Sequence, residues 1–348
     1  MNKYLVYFNV CVLALALYAC PSGGKEVVTA EVKMATQNYA DAAKDLKEEY
    51  LNIPKDSIKR KAKVSFLLGE CYKLSNSLQE AEKWYKEAIS YDIIPEAKYG
   101  YADVLKRNGK YYQAIEVFQE FLDENPEQKH RADHAIYGCN LAIDWMNEPS
   151  SEYDLYKPQG FNSEFSDYAP SFFGNQLVFS SHRASNTGVQ VYGRTGEKFS
   201  DIYISKLDGE GKPQPPLLLD EKTFNINTKS HEGASSFSSD SSEIFFTRCG
   251  DEDKIGIDYC ELYYSKRNSD GTFEEPQLMN LFRDTTKFNV GQPSLSSDGY
   301  KLYFSASVPH KGYGGKDIWR SQITDNGFLQ PENLGPKINT EDEQALGA

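Results

Sequence analysis

The sequence predicts a helical repeat solenoid followed by an incomplete all-β propeller of about three blades. Small and apolar residues recur at helical spacing from residue 26 to about 148. Beyond Pro149 that period stops, and short runs of Phe, Tyr, Ile and Val alternate with Ser, Asp, Gly and Asn. Both halves repeat internally, and 348 residues are enough for two domains, each burying its own core.

Composition narrows the classes. Hydrophobic residues make up 39% and aromatic ones 13%, with 24 Tyr, which fits folded strands rather than a disordered chain. The net charge of -13 is uneven: residues 21–150 hold 18 basic and 22 acidic side chains, residues 151–348 hold 19 and 29. No basic stripe is present, which excludes nucleic acid and the surface of anionic membranes as expected partners.

Residues 1–19 carry one cation, Lys3, and then an apolar run too short to span a bilayer, the pattern of a signal peptide. The run ends Leu17-Tyr18-Ala19-Cys20, which resembles a bacterial lipobox with Cys20 as the lipidated residue. Tyr18 departs from the small residue usual there. An ordinary cleaved signal or an uncleaved anchor is the alternative. Residues 20–25, with Pro21-Ser22-Gly23-Gly24, read as a lipidated tether.

Residues 26–148 form the first repeat region. Leu68-Gly69, Tyr72, Ala81, Tyr85 and Ala88 align with Tyr101-Ala102, Leu105, Ala114, Phe118 and Phe121, each pair 33 residues apart. This resembles the tetratricopeptide repeat, in which small residues let two antiparallel helices approach closely. Ala42, Leu46 and Pro54 suggest a divergent first repeat, and the amphipathic stretch from Arg131 to Met146, including Trp145, a cap. The resemblance implies a concave partner-binding face carrying Lys63, Phe66, Glu70 and Lys73, then Glu96, Tyr99, Asp103 and Lys106. Mixed charges at that spacing equally suit a solvated helix face.

Residues 149–348 form the second. Three units line up, each with two strands joined by a tight turn at Gly174-Asn175, Ser239-Asp240-Ser241 or Ser297-Asp298-Gly299, then a third strand and a short fourth. The run SLSSDGYKLYFSA from Ser294, with GGKDIW from Gly314, resembles the WD40-like PD40 repeat of TolB-type propellers. Helical repeats, such blades and a lipobox together resemble the PorE-type outer-membrane lipoproteins of type IX secretion and gliding. That family also carries a peptidoglycan-binding OmpA-like domain, for which no residue here corresponds. A recurring Asn, at Asn162, Asn227, Asn289 and Asn339, marks each blade opening, so a fourth blade would begin at Asn339. Three blades cannot close a ring, which leads us to expect either further blades or two chains combining theirs.

Cys249 and Cys260 face each other in a simple hairpin with Phe246 opposite Tyr263, and an exported protein would oxidise them to a disulfide. Cys71 and Cys139 read as buried thiols. No catalytic motif or paired metal-ligand spacing appears, and no nucleophile elbow accompanies the serines near His182 and His231. Asp251, Glu252, Asp253 and Asp258 could hold calcium but read as a solvated loop, and Gly312-Tyr313-Gly314-Gly315 as a turn. The expectation is a protein without catalytic residues, metal or cofactor: a periplasm-facing outer-membrane scaffold held by its lipid and binding envelope proteins. A carbohydrate-binding lipoprotein of the SusD kind and the propeller of a peptidase are the alternatives.

Overall fold

A computed structural model describes residues 28–149, 152, 157–250, 259–282, 288–325, 327–340 and 344–345. The expectations for Cys20, the tether and the acidic loop at Asp251 to Asp258 lie outside the described residues. The chain forms α1 (Ala30–Ala35), α2 (Tyr39–Asn52), α3 (Ile58–Leu74), α4 (Leu78–Ile89), α5 (Pro95–Arg107), α6 (Tyr111–Glu124) and α7 (Lys129–Asn147). Each packs on the next. No described helix is long and apolar enough to cross a membrane.

Within the helical hairpins the same turn recurs. Gln37, Asn76 and Gly109 all have positive φ. Around each, two amide groups cap the preceding helix, as Ser77 N–H does to Tyr72 O at 2.8 Å and Lys110 N–H to Leu105 O at 2.9 Å. The ring of Tyr85 is wholly buried in a slot between two glycines. A Cβ on Gly69 would stand 2.8 Å from its Cδ1, and one on Gly100 only 2.4 Å from its Cε1. That is why α3 and α5 carry glycine there. The divergent first repeat has a first helix of 6 residues. Trp145 is exposed instead of capping the stack, because α7 has 19 residues against the 14 of α6 and its last turn overruns its partner.

Thirteen strands follow among the described residues, in three antiparallel sheets. The first holds β1 (Asp167–Phe173), β2 (Gln176–Ser181), β3 (Asp201–Lys206) and β4 (Leu217–Leu218); the second β5 (His231–Phe237), β6 (Glu243–Cys249), β7 (Cys260–Lys266) and β8 (Gln277–Leu278). The third holds β9 (Asn289–Leu295), β10 (Lys301–Ser307), β11 (Asp317–Thr324), β12 (Gly327–Phe328) and β13 (Glu332–Asn333). The fold is a helical repeat array followed by an incomplete propeller. Apolar side chains fill the seams: Val178 and Ile202 of the first blade meet Ile244 and Phe246 of the second, and Phe245 and Leu262 meet Leu302, Phe304 and Trp319 of the third.

Polar devices repeat at those seams. Ala169, Ala234 and Gln292 hold the same register in β1, β5 and β9, each at a β-bulge and each with positive φ. The bulge turns the amide of Ala234 onto Ser180 Oγ at 3.2 Å and that of Gln292 onto Thr247 Oγ1 at 2.8 Å, fastening each blade to the one before. Buried Asn227 accepts from Ile202 N–H at 2.7 Å and donates to Ile202 O and Leu219 O, and Asn339 does the same for Ile318 N–H at 2.8 Å and Ile318 O. Asn227→Ala would remove these three bonds, leaving Ile202 O with the Leu219 N–H as its partner, so we expect a loss of about 2 kcal/mol in urea unfolding.

The recurring asparagines are not all equivalent. Asn162, Asn227 and Asn339 share one register, but Asn289 opens β9 itself and accepts from Cys260 N–H at 2.9 Å. Its counterpart one blade earlier is His231, whose Nδ1 accepts from Ser200 N–H at 3.0 Å.

The array also touches the first blade away from the covalent connection. Between β2 and β3 a hairpin closed by the Val191–Lys198 bridge reaches the α1–α2 corner. Ala40 N–H donates to Gly193 O at 2.9 Å, and Arg194 Nη1 to Gln37 Oε1 at 3.1 Å. A Cβ on Gly193 would meet the Asn38 side chain, so a larger residue there would require Asn38 to move.

Candidate functional site

Two features are candidates. The first is the face of α3 and α5. Here Lys63 pairs with Glu31 at 3.5 Å, Lys73 with Glu70 at 2.8 Å and Lys106 with Asp103 at 3.2 Å. Glu70 also receives the hydroxyl of Tyr85, and Phe66 packs edge-on against the Tyr85 ring at 6.1 Å. Tyr99 meets Phe118 and Phe121 edge-on, with the Arg131 guanidinium 3.5 Å from its centroid. Phe66, Glu70, Lys73 and Tyr99 are thus knit into the array, whereas Glu96 and Lys63 are exposed. Ion pairs as open as Lys63–Glu31 contribute little to stability, so a partner can exchange them cheaply.

The second is a cavity of about 900 Å³ bounded by β1, β5 and β9 of all three blades. His182 and His231 sit at its back with Tyr168 and Tyr192. His182 Nδ1 lies 2.6 Å from Lys198 O, which makes it a donor, whereas His231 Nδ1 must accept from Ser200 N–H. Burial, reinforced by neighbouring His182, pushes His231 down to about 3, so it is neutral near pH 7. Tyr168 is 39% exposed, but its hydroxyl is turned inward onto Ser200 Oγ at 2.9 Å, and burial of that end raises it to about 12. Ser200 Oγ lies 3.1 Å from His231 Nδ1, but the serine is fully buried and that nitrogen is already engaged, so the pair latches a strand end and lacks the exposure a nucleophile needs.

Partly buried ion pairs fix the blade ends beside the cavity. Asp167 takes Arg183 at 3.2 Å, and Glu232 takes Arg248 at 2.8 Å. Sequence reasoning missed both; the signal is a carboxylate at the same register of two blades, which Val290 replaces in the third. Cys249 and Cys260 lie opposite each other in the β6–β7 register and are joined at 2.00 Å. Their separation of 11 residues gives a loop whose closure contributes about 2–3 kcal/mol. Cys71 and Cys139 are buried free thiols, with burial and nearby Glu70 raising Cys71 to about 12. No described group of three His, Cys, Asp or Glu is placed to hold a metal ion.

The tetratricopeptide repeat model matches residues 62–92 and 95–128, the α3–α4 and α5–α6 hairpins. No curated protein matches the chain. Among solved structures, a puromycin-hydrolyzing peptidase of Mycobacterium tuberculosis is 10% identical over 49% of this chain and 32% of its own, with a TM-score of 0.27. Prolyl oligopeptidase B from Galerina marginata, bound to a 25mer macrocyclization substrate, is 15% identical over 49% of this chain and 22% of its own, with a TM-score of 0.28. The chain thus spans under a third of either peptidase, and at these scores the likeness says nothing of substrate or activity. The two matched hairpins are tetratricopeptide repeats, a module that serves protein–protein interaction.

Proposed function

We propose that this chain is a non-enzymatic scaffold of the bacterial cell envelope, a lipoprotein of the outer membrane that binds other envelope proteins through the concave face of α3 and α5. The observation that carries the reading is the tandem repeat match over 62–92 and 95–128, with Lys63 and Glu96 presented to solvent on that face. The resemblance to PorE-type lipoproteins supports a place in a type IX secretion or gliding assembly. Acylation at Cys20 supplies the membrane hold.

The test is recovery from cross-linked native membranes. Intact protein should bring down envelope proteins, and Lys63→Glu with Glu96→Lys should lower that recovery; no recovered partner, with binding on glycan arrays, would overturn the reading. Cys20→Ser should move the protein from the membrane to the soluble periplasmic fraction. An unchanged membrane fraction would refute the lipid anchor alone.

A further inference from the structure

The cavity between the blades differs in character from the rest of the chain. The sequence holds 51 acidic residues, yet no described lining residue is Asp or Glu. Two cations stand on its wall from different blades: Arg194, on the hairpin of the first, and Lys316, just before β11 of the third. Neither histidine changes that sign. The two cations give the described wall a positive sign, which favours a negatively charged ligand.

Its remaining surface suits a polypeptide. β1, β5 and β9 each lie at the end of their sheet, so one edge of each is left unpaired within it and borders the cavity. Ser171, Ser236 and Ser294 share one register across the three blades and line it with hydroxyl groups, and Phe172, 70% exposed, offers an apolar ledge. Main-chain groups, hydroxyls and a ledge are what an added extended segment uses. A neutral sugar could bond the same hydroxyls and strand edges but offers no charge to Arg194 and Lys316. A volume of about 900 Å³ exceeds what a lone carboxylate fills.

We propose that this cavity is a second binding site, distinct from the helical groove, and that it takes an extended acidic peptide segment, with Arg194 and Lys316 meeting its carboxylates and the serine-lined strand edges meeting its backbone. The site lies wholly in the blades and does not depend on the groove reading.

The probe is a fluorescein-labelled peptide alternating Glu and Ser, titrated by anisotropy into the purified full chain. It should bind, more weakly as salt rises, and its Gln-for-Glu counterpart should bind about tenfold more weakly. Lys316→Glu should weaken the acidic peptide about tenfold, whereas Lys63→Glu in the array should leave it unchanged. Arg194→Gln should act like Lys316→Glu; because Arg194 also holds Gln37, half-buried Lys316 is the deciding variant, with a thermal melt to confirm that it folds. No binding, equal binding of the Gln peptide, or competition by oligogalacturonate as effective as by unlabelled peptide would overturn the proposal. Loss through Lys63→Glu but not Lys316→Glu would also overturn it, by placing the peptide in the groove.

Discussion

Tyr85→Ala should cost the helical array about 3–5 kcal/mol, read as a lower urea midpoint of the helical circular dichroism signal. The ring is fully buried between Gly69 and Gly100, which cannot fill the space it leaves because neither has a side chain to move. The hydroxyl adds to the effect, since Glu70 would keep only Lys73 as a strong partner. Tyr85→Phe isolates that second contribution and should cost about 1 kcal/mol. If Tyr85→Ala leaves the midpoint unmoved, the packing of α3 and α5 on α4 is wrong as described.

Glu232→Ala should destabilise the blades by about 3–5 kcal/mol at pH 8, because it leaves the Arg248 guanidinium, itself largely buried, without its counter-charge. Its pH dependence has a definite sign. Burial raises the Glu232 carboxyl from 4.5 to about 7, against the opposing pull of Thr228 and Arg248. A folded pKa above the unfolded one means that the folded state holds the proton more tightly. The stability this contributes is complete below about pH 4.5 and is lost as pH rises through about 7, by at most about 3 kcal/mol. Glu232→Gln should remove that part of the slope between pH 4.5 and 7. Across this window the melting temperature of the wild type should fall relative to that of Glu232→Gln as pH rises; a constant offset or the opposite trend would contradict a raised carboxyl.

The helical repeat was legible because its small residues recur in one chain segment: Gly69 and Ala102 sit at the same repeat position, and the turns at Asn76 and Gly109 are equally spaced. The blades were legible because their turns need residues tolerant of left-handed backbone, as at Gly174, Ser241 and Gly299. What joins blade to blade was not. Asn227 bonds Ile202, 25 residues back, and Ala234 bonds Ser180, 54 back, and nothing local in the sequence marks either partner. Residue type also misled, since Asn289 looked like Asn227, whereas its counterpart one blade earlier is His231. The cavity could not be read at all: Arg194 and Lys316 are far apart in sequence, and only the adjacent inner strands bring them to one wall.

The hairpin at Gly193 changes how force travels through the molecule. Without it, tension entering at the N-terminal end of the array would pass through every helical pair in series before reaching a blade, and the weakest pair would peel first. The Ala40–Gly193 bond and the Arg194–Gln37 contact supply a parallel route from the α1–α2 corner to the first blade. Under a pull from that end the helices are shielded, and the strand pairing of β2 with β3, which carries the hairpin, becomes the element in tension.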